Sequence, residues 1–119
     1  MWDKKDVLLV DVAKIIELDV LLNKSIEQQA NLPGIDEMAA FSNMSSSKLK
    51  SLFKKVYNQS ISEYFNACRL NNARKILLLK EENIKEVSAK FGYNTVQHFT
   101  VAFKKQFGNT PAAILKNAV

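Results

Sequence analysis

The stretch LFKKVYNQS at residues 52–60 returns as AFKKQFGNT at residues 102–110. Each has an apolar residue, Phe-Lys-Lys, two further residues, a turn former (Asn58 or Gly108) and, two positions on, a hydroxyl residue (Ser60 or Thr110). The likeness extends upstream. Ile35, Glu37, Met38, Asn43 and Met44 match Ile84, Glu86, Val87, Gly92 and Tyr93 at an offset of 49. Leu49, Phe53, Lys54, Lys55 and Ser60 match Phe99, Phe103, Lys104, Lys105 and Thr110 at an offset of 50, so one residue is gained in the turn between. A chain of 119 residues has room for one domain, or for two small lobes sharing a connector. A repeat of this period therefore means two copies of one supersecondary unit.

Local signals say what the unit is. IDEMAAFSN (35–43) reads as a short helix with Ile35, Met38 and Ala39 on one face, closed by Asn43, the best non-glycine residue for a left-handed cap. Ser45 then starts a second helix to about Tyr57, with Leu49, Leu52, Phe53 and Val56 inward and Ser46, Ser47, Lys50, Ser51 and Lys54 outward. Ser60-Ile-Ser-Glu63 and Asn83-Ile-Lys-Glu86 are capping boxes. The first opens a connector to about Lys80, with Tyr64, Cys68, Ala73, Ile76 and Leu77 as its expected core. Its nineteen residues from Ser62 to Lys80 span roughly 28 Å at about 1.5 Å each. The second opens a short helix ending at Gly92. Asn94, with Gln97 three residues on, is the expected cap of the next helix, which turns Phe99, Ala102, Phe103 and Phe107 inward and stops at Gly108. Thr110-Pro111 begins a last short helix, AAILKNAV.

Upstream of the repeat, residues 6–31 read as an amphipathic helix. Leu8, Val12, Ile15, Leu18, Leu22 and Ile26 recur at steps of three and four, and Asn31-Leu32-Pro33-Gly34 stops it. Leu9, Val10, Ile16, Val20 and Leu21 fill another face, an expected contact with a further domain or subunit if this helix does not bury both faces within its own. The charges of Asp11, Lys14, Glu17 and Asp19 rule out a membrane span in this run. The N-terminus lacks the pattern of a secretory signal.

Short helix, tight turn and longer helix make a helix-turn-helix. The fold expected is all-α, with two such lobes joined by a linker helix. The second helix of such a unit reads the DNA major groove, and dimers commonly supply two of them one turn, about 34 Å, apart. Two units on one connector offer the same reach in a single chain. Charge agrees with a polyanionic partner. Residues 1–44 hold four lysines and eight acids, net −4, whereas residues 45–119 hold thirteen bases and four acids, net +9.

IKEVSAKFGYNTVQHFTVAFKKQFGNTPAAI, and before it IDEMAAFSNMSSSKLKSLFKKVYNQSISEYFNACRLNNARKILL, resemble the signature of the AraC/XylS family of bacterial transcription regulators. The pattern F-x-x-x-FKK-x-FG-x-TP, the FGY turn and the RLNNAR linker all fall in register across roughly residues 30–115. The resemblance implies a seven-helix domain with homeodomain-like lobes over residues 1–119: a first helix-turn-helix at about 35–57, a linker helix at about 61–80 and a second unit at about 84–107. It implies binding of double-stranded promoter DNA by a cytoplasmic, nucleoid-associated protein, activation through RNA polymerase, and a sensor or dimerisation domain not contained in these residues. Carried over by position, Ser47, Lys50, Ser51, Val96, Gln97, Thr100 and Val101 are the expected base contacts. Ser45, Ser46, Lys54, Asn94, Thr95 and Lys104 are the expected phosphate contacts, with Lys54 and Lys104 equally readable as solvated lysines. Lysine suits guanine O6/N7, glutamine adenine N6/N7, and valine the thymine methyl. Val101 stands where many members have an arginine, Asn58 replaces a common glycine, Ile61 a common proline and Ser88 a common alanine.

Other chemistry is not supported. A single cysteine, Cys68, excludes a disulfide framework and reads as a small core residue. A lone histidine, His98, is no metal site. Arg69 and Arg74 read as structural or solvated. With no phosphate loop and no nucleophile beside a base, neither an enzyme nor a cofactor is expected. A helical adaptor without sequence-specific DNA binding is the alternative, and RNA binding ranks third because an A-form major groove is too narrow for a reading helix.

Overall fold

The computed structural model describes residues 9–117. Among them are seven helices and no strand: α1 (Leu9–Glu27), α2 (Ile35–Phe41), α3 (Ser46–Tyr57), α4 (Ile61–Leu79), α5 (Ile84–Lys90), α6 (Val96–Phe107) and α7 (Pro111–Asn117). The chain divides into two compact units, Met1–Phe65 and Asn66–Val119, with α4 contributing to both.

In the first unit α3 packs against α1 and α2. α1 buries Ile15, Leu18, Leu22 and Ile26 on one stripe, with Val12 half-buried beside it. The expected starting turn of this helix, including Leu8, lies outside the described residues. Its end comes earlier than Asn31-Leu32-Pro33-Gly34. The buried stripe runs out at Ile26, and the polar residues after it have nothing to pack against. Gln29 takes a left-handed conformation (φ 59°), and the Ala30 N–H closes back on the Ser25 carbonyl at 2.8 Å. The second apolar face stays largely open: Leu9, Val10, Ile16 and Val20 are exposed, while Leu21 is half-buried. Met38 and Ala39 from α2, Leu49, Leu52 and Phe53 from α3, and Ile61 and Phe65 from α4 complete this core. Val56 is half-buried.

A polar junction pins α1 in place. The Asp19 carboxylate accepts from the Tyr57 hydroxyl at 2.8 Å, the Tyr64 hydroxyl at 2.5 Å and Asn23 Nδ2 at 2.7 Å. The two tyrosine rings stack with centroids 4.8 Å apart, against Phe53. Tyr64, expected as plain core, is half-buried and keeps its hydroxyl in this network.

In the second unit α6 packs on α5 and α7. Leu70, Ala73 and Leu77 of α4 join Val87, Phe91, Phe99 and Phe103 in the core. Phe99, Phe103 and Phe107 form a run of tilted ring contacts, and the Arg74 guanidinium lies 4.4 Å from the Phe107 ring centroid. Arg69 sits over Tyr93 at 5.0 Å. Both arginines thus pack on rings in the second unit. Cys68 is half-buried rather than core. It falls between the α4 residues given to the first unit (Ile61, Phe65) and those given to the second (Leu70, Ala73, Leu77). Ile76 is half-buried beside the stripe of Ala73 and Leu77.

The repeat survives to the level of single hydrogen bonds. Asn43 and Gly92 are both left-handed (φ 52° and 84°), and the next N–H of each returns to the chain five residues back: Met44 to the Ala39 carbonyl and Tyr93 to the Ser88 carbonyl, each at 3.1 Å or less. Asn58 and Gly108 (φ 58° and 80°) cap α3 and α6 through bonds to the Lys54 and Lys104 carbonyls, both 2.8 Å. The capping boxes at Ser60/Glu63 and Asn83/Glu86 are formed, and Thr110 Oγ1 accepts from the Ala113 N–H at 3.1 Å.

Candidate nucleic-acid interface

A helix that reads DNA has to offer donors near its N-terminal end, keep negative charge away, and hold its own direction fixed. α3 and α6 are both twelve residues long and contain no Asp or Glu. Each begins on a hydroxyl cap. Ser45 Oγ accepts from the Lys48 N–H, and Thr95 Oγ1 accepts from the His98 N–H, both at 3.1 Å. The second cap is therefore Thr95, not the expected Asn94. The turns at Asn43-Met44 and Gly92-Tyr93 close alike, and the residue gained in the second copy is Asn94, exposed between Tyr93 and the cap Thr95. Ser88, where alanine is common, is buried and donates to the Thr95 carbonyl at 3.3 Å, tying α5 to this cap.

The outer faces coincide at an offset of 50. Ser47, Lys50, Ser51 and Lys54 are all exposed on α3. Gln97, Val101 and Lys104 are exposed at the matching places on α6, and Thr100 is half-buried. These positions, spaced three, one and three apart, share one helix face. Val96 and Val101 are 39% and 68% exposed. His98 is exposed. The first face is thus hydroxyl and cationic with two lysines, the second amide, hydroxyl and apolar with one lysine, Lys104.

The remaining expected contacts are partly committed inside the protein. Ser46 is half-buried and donates its hydroxyl to Asp36 Oδ1 at 3.1 Å. Ser45 and Thr95 use a lone pair each as caps and keep an O–H to donate. Three long-range contacts around these helices were not legible in the sequence. Asp11, whose side chain is 9% exposed, holds Lys48 Nζ at 3.2 Å, anchoring the start of α3 to α1. The Asp19–Tyr57–Tyr64 junction holds the end of α3. In the second unit Gln106 Nε2 donates to the Ala67 carbonyl at 3.0 Å and seats α6 on α4. Among the described residues no group of His, Cys, Asp and Glu is placed to hold a metal, and no helix is long and apolar enough to cross a membrane.

Two N-capped, carboxylate-free helices, each behind a short helix and a left-handed turn, define a tandem helix-turn-helix protein. A helix-turn-helix domain family model matches residues 38–117. The transcription factor PqrA of Proteus vulgaris (described as probable) is 31% identical over 107 residues, covering 90% of this chain and 82% of that protein. The regulator GbdR of Pseudomonas aeruginosa is also 31% identical over 107 residues, but the match takes up only 28% of its length, so this chain spans about three-tenths of such relatives. Among solved structures, an AraC-type DNA-binding-domain regulator from Chromobacterium violaceum superposes with a TM-score of 0.81 at 25% identity, covering 90% of this chain and 93% of that one. The chain belongs to the AraC/XylS family of helix-turn-helix transcription regulators.

Proposed function

We propose that this chain binds promoter duplex sequence-specifically through α3 and α6 in adjacent major-groove segments, as the DNA-binding part of a transcription activator. The observation that carries the reading is the repeated outer face: the same four helix positions, fifty residues apart, open on a capped helix without a carboxylate. The chemistry of each face supports a particular set of contacts. In the first unit Lys50 suits guanine O6/N7, with Ser47 and Ser51 beside it. In the second, Gln97 suits adenine N6/N7, Val96 and Val101 meet thymine methyls, and Thr100 donates or accepts at the groove edge. Lys54 and Lys104 sit a turn further on for phosphates, with Asn94 and the hydroxyls of Ser45 and Thr95. Because the Ser46 hydroxyl already bonds Asp36, its phosphate contact runs through the backbone N–H at the open end of α3.

Unlike faces on the two units imply an asymmetric site with two different blocks. Selection of a randomised duplex library by the purified chain at near-physiological salt tests this. Two unlike short blocks about one helical turn (~34 Å) apart are expected. A pool enriched by charge alone, with no motif, overturns it. Membership of the family supports activation through RNA polymerase, in the cytoplasm and under a sensor or dimerisation domain. Transcription in vitro from a selected site, with polymerase and with or without the chain, reads its direction; a fall in transcript overturns the activator assignment.

A further inference from the structure

One cleft in the first unit has no part in the reading face, yet shares two of its lysines. Leu32, Pro33, Ile35, Met38 and Ile61 line it together with Ser60, Ser62 and the exposed Lys50 and Lys54; its volume is about 400 Å³. Met38 and Ile61 are nearly sealed by the protein, at 3% and 6% exposure, while Leu32, Pro33 and Ile35 are half-buried walls. This volume lies within the roughly 300–1,000 Å³ of small-molecule sites, which are mostly apolar with a few placed polar groups. Lys48 on the same helix is held by Asp11, and Lys90 by Glu82. Among the described residues Lys50 and Lys54 have no carboxylate within ion-pair distance, and no carboxylate lines the cleft. An inorganic anion would leave the walls wet. A neutral apolar molecule would gain nothing from the two lysines, which water already solvates.

The internal repeat supplies a comparison. The positions matching Leu32 and Pro33 in the second unit are Glu81 and Glu82, and the position matching Lys50 is Thr100. The groove beside α6 is about 240 Å³ and is lined by different residues, among them Lys85, Tyr93 and Asn94. Position by position, the second copy keeps a lysine at Lys104 but has acids in place of Leu32 and Pro33 and a threonine in place of Lys50.

We infer that this cleft binds a small amphipathic carboxylate, its apolar body against Leu32, Pro33 and Ile35 over the floor of Met38 and Ile61 and its head at Lys50 and Lys54, and that its occupancy competes with DNA for those lysines. The competition rests on α3 touching DNA; the binding does not.

The test uses octanoate, with octan-1-ol as the neutral control, on the purified chain with 13C-labelled methyl groups. Titration with octanoate is expected to move the Ile35, Met38 and Ile61 methyl signals saturably, with octan-1-ol at least tenfold weaker. The double variant Lys50→Gln/Lys54→Gln is expected to weaken octanoate at least tenfold. Leu32→Glu, which gives the first unit the acid that the second carries there, is expected to abolish the response. On a duplex recovered by selection, saturating octanoate is expected to raise the concentration for half-binding at least fivefold in the unaltered chain. No saturation, equal response to octan-1-ol, or shifts of equal size at the Val87 methyls of the second unit overturn the site. Saturable octanoate binding that leaves duplex affinity unchanged overturns the competition. Failure to recover any selected duplex overturns the DNA reading alone, and the methyl titration still decides the cleft.

Discussion

Asp19→Ala is the substitution whose cost follows most directly from the structure. Its carboxylate takes three donors: two phenol hydroxyls from the end of α3 and the start of α4, and the Asn23 amide from its own helix. Hydrogen bonds to a charged group contribute about 1.5–3 kcal/mol each when buried. Asp19, Tyr57 and Tyr64 are half-buried, so water answers part of the loss, and about 1 kcal/mol for each tyrosine is the fitting figure. Asn23 also reaches the Asp19 backbone carbonyl at 2.9 Å and keeps that bond. The expected destabilisation is about 2–3 kcal/mol, and Asp19→Asn, which retains an acceptor, should cost about half as much. At about 4 °C per kcal/mol for a chain of this size, Asp19→Ala should lower Tm by roughly 8–12 °C. Thermal and urea unfolding by circular dichroism measures this. Repeating Asp19→Ala in a Tyr57→Phe/Tyr64→Phe background closes a double-mutant cycle, and there it should cost less than about 1 kcal/mol. Equal cost in both backgrounds would refute the coupling of α1 to the reading helix through these hydroxyls.

Other substitutions test the interface and its frame. Gln97→Ala should relax one base position of the selected site, at a loss of about 1–3 kcal/mol for the preferred base; an unchanged motif from the variant would sink the assignment of Gln97. Thr95→Ala should cost about 1 kcal/mol by removing the cap of α6, whereas Asn94→Ala should stay within about 0.5 kcal/mol, and urea unfolding of the pair tells which residue caps the helix. Gly108→Ala should cost roughly 1–2 kcal/mol because its φ of 80° disfavours a side chain. The matching Asn58→Gly should change stability by no more than about 0.5 kcal/mol, since asparagine already tolerates the left-handed turn; equal and large losses in both would be contrary to the argument.

Much of this protein was legible in one sequence because its signals are local. A capping box lies within four residues, a left-handed cap falls on one, and an inward stripe repeats every three or four. Ser45, Ser60, Asn83 and Thr110 could be placed from spacing alone, as could Asn43, Asn58, Gly92 and Gly108 at the turns. The offset of fifty then carried the outward residues of α3 onto those of α6. Where two neighbours were both competent to cap, as at Asn94 and Thr95, spacing could not choose. The residue gained in the second turn, Asn94, moves the cap to Thr95. α1 likewise ends where its buried stripe ends, at Ile26, and not at the stronger breakers beyond. Cys68 and Tyr64 lie on a helix shared by two units, so a single periodic stripe misjudged them.

What joins distant segments was decided by folding alone. Asp11 and Lys48 are thirty-seven residues apart, and Asp19 and Tyr64 forty-five. Any acid of α1 can meet any base or phenol in sequence; only packed helices bring one pair within 3.2 Å. The cleft under Lys50 and Lys54 is of the same kind, since its wall comes from a loop, two helices and the start of a third. The sequence by itself determined the helices, their ends and the repeated outward face, because each rests on the geometry of a few bonded neighbours. The tertiary structure decided which polar groups are used up holding the helices and which are left to meet a ligand, because that depends on what the chain brings near.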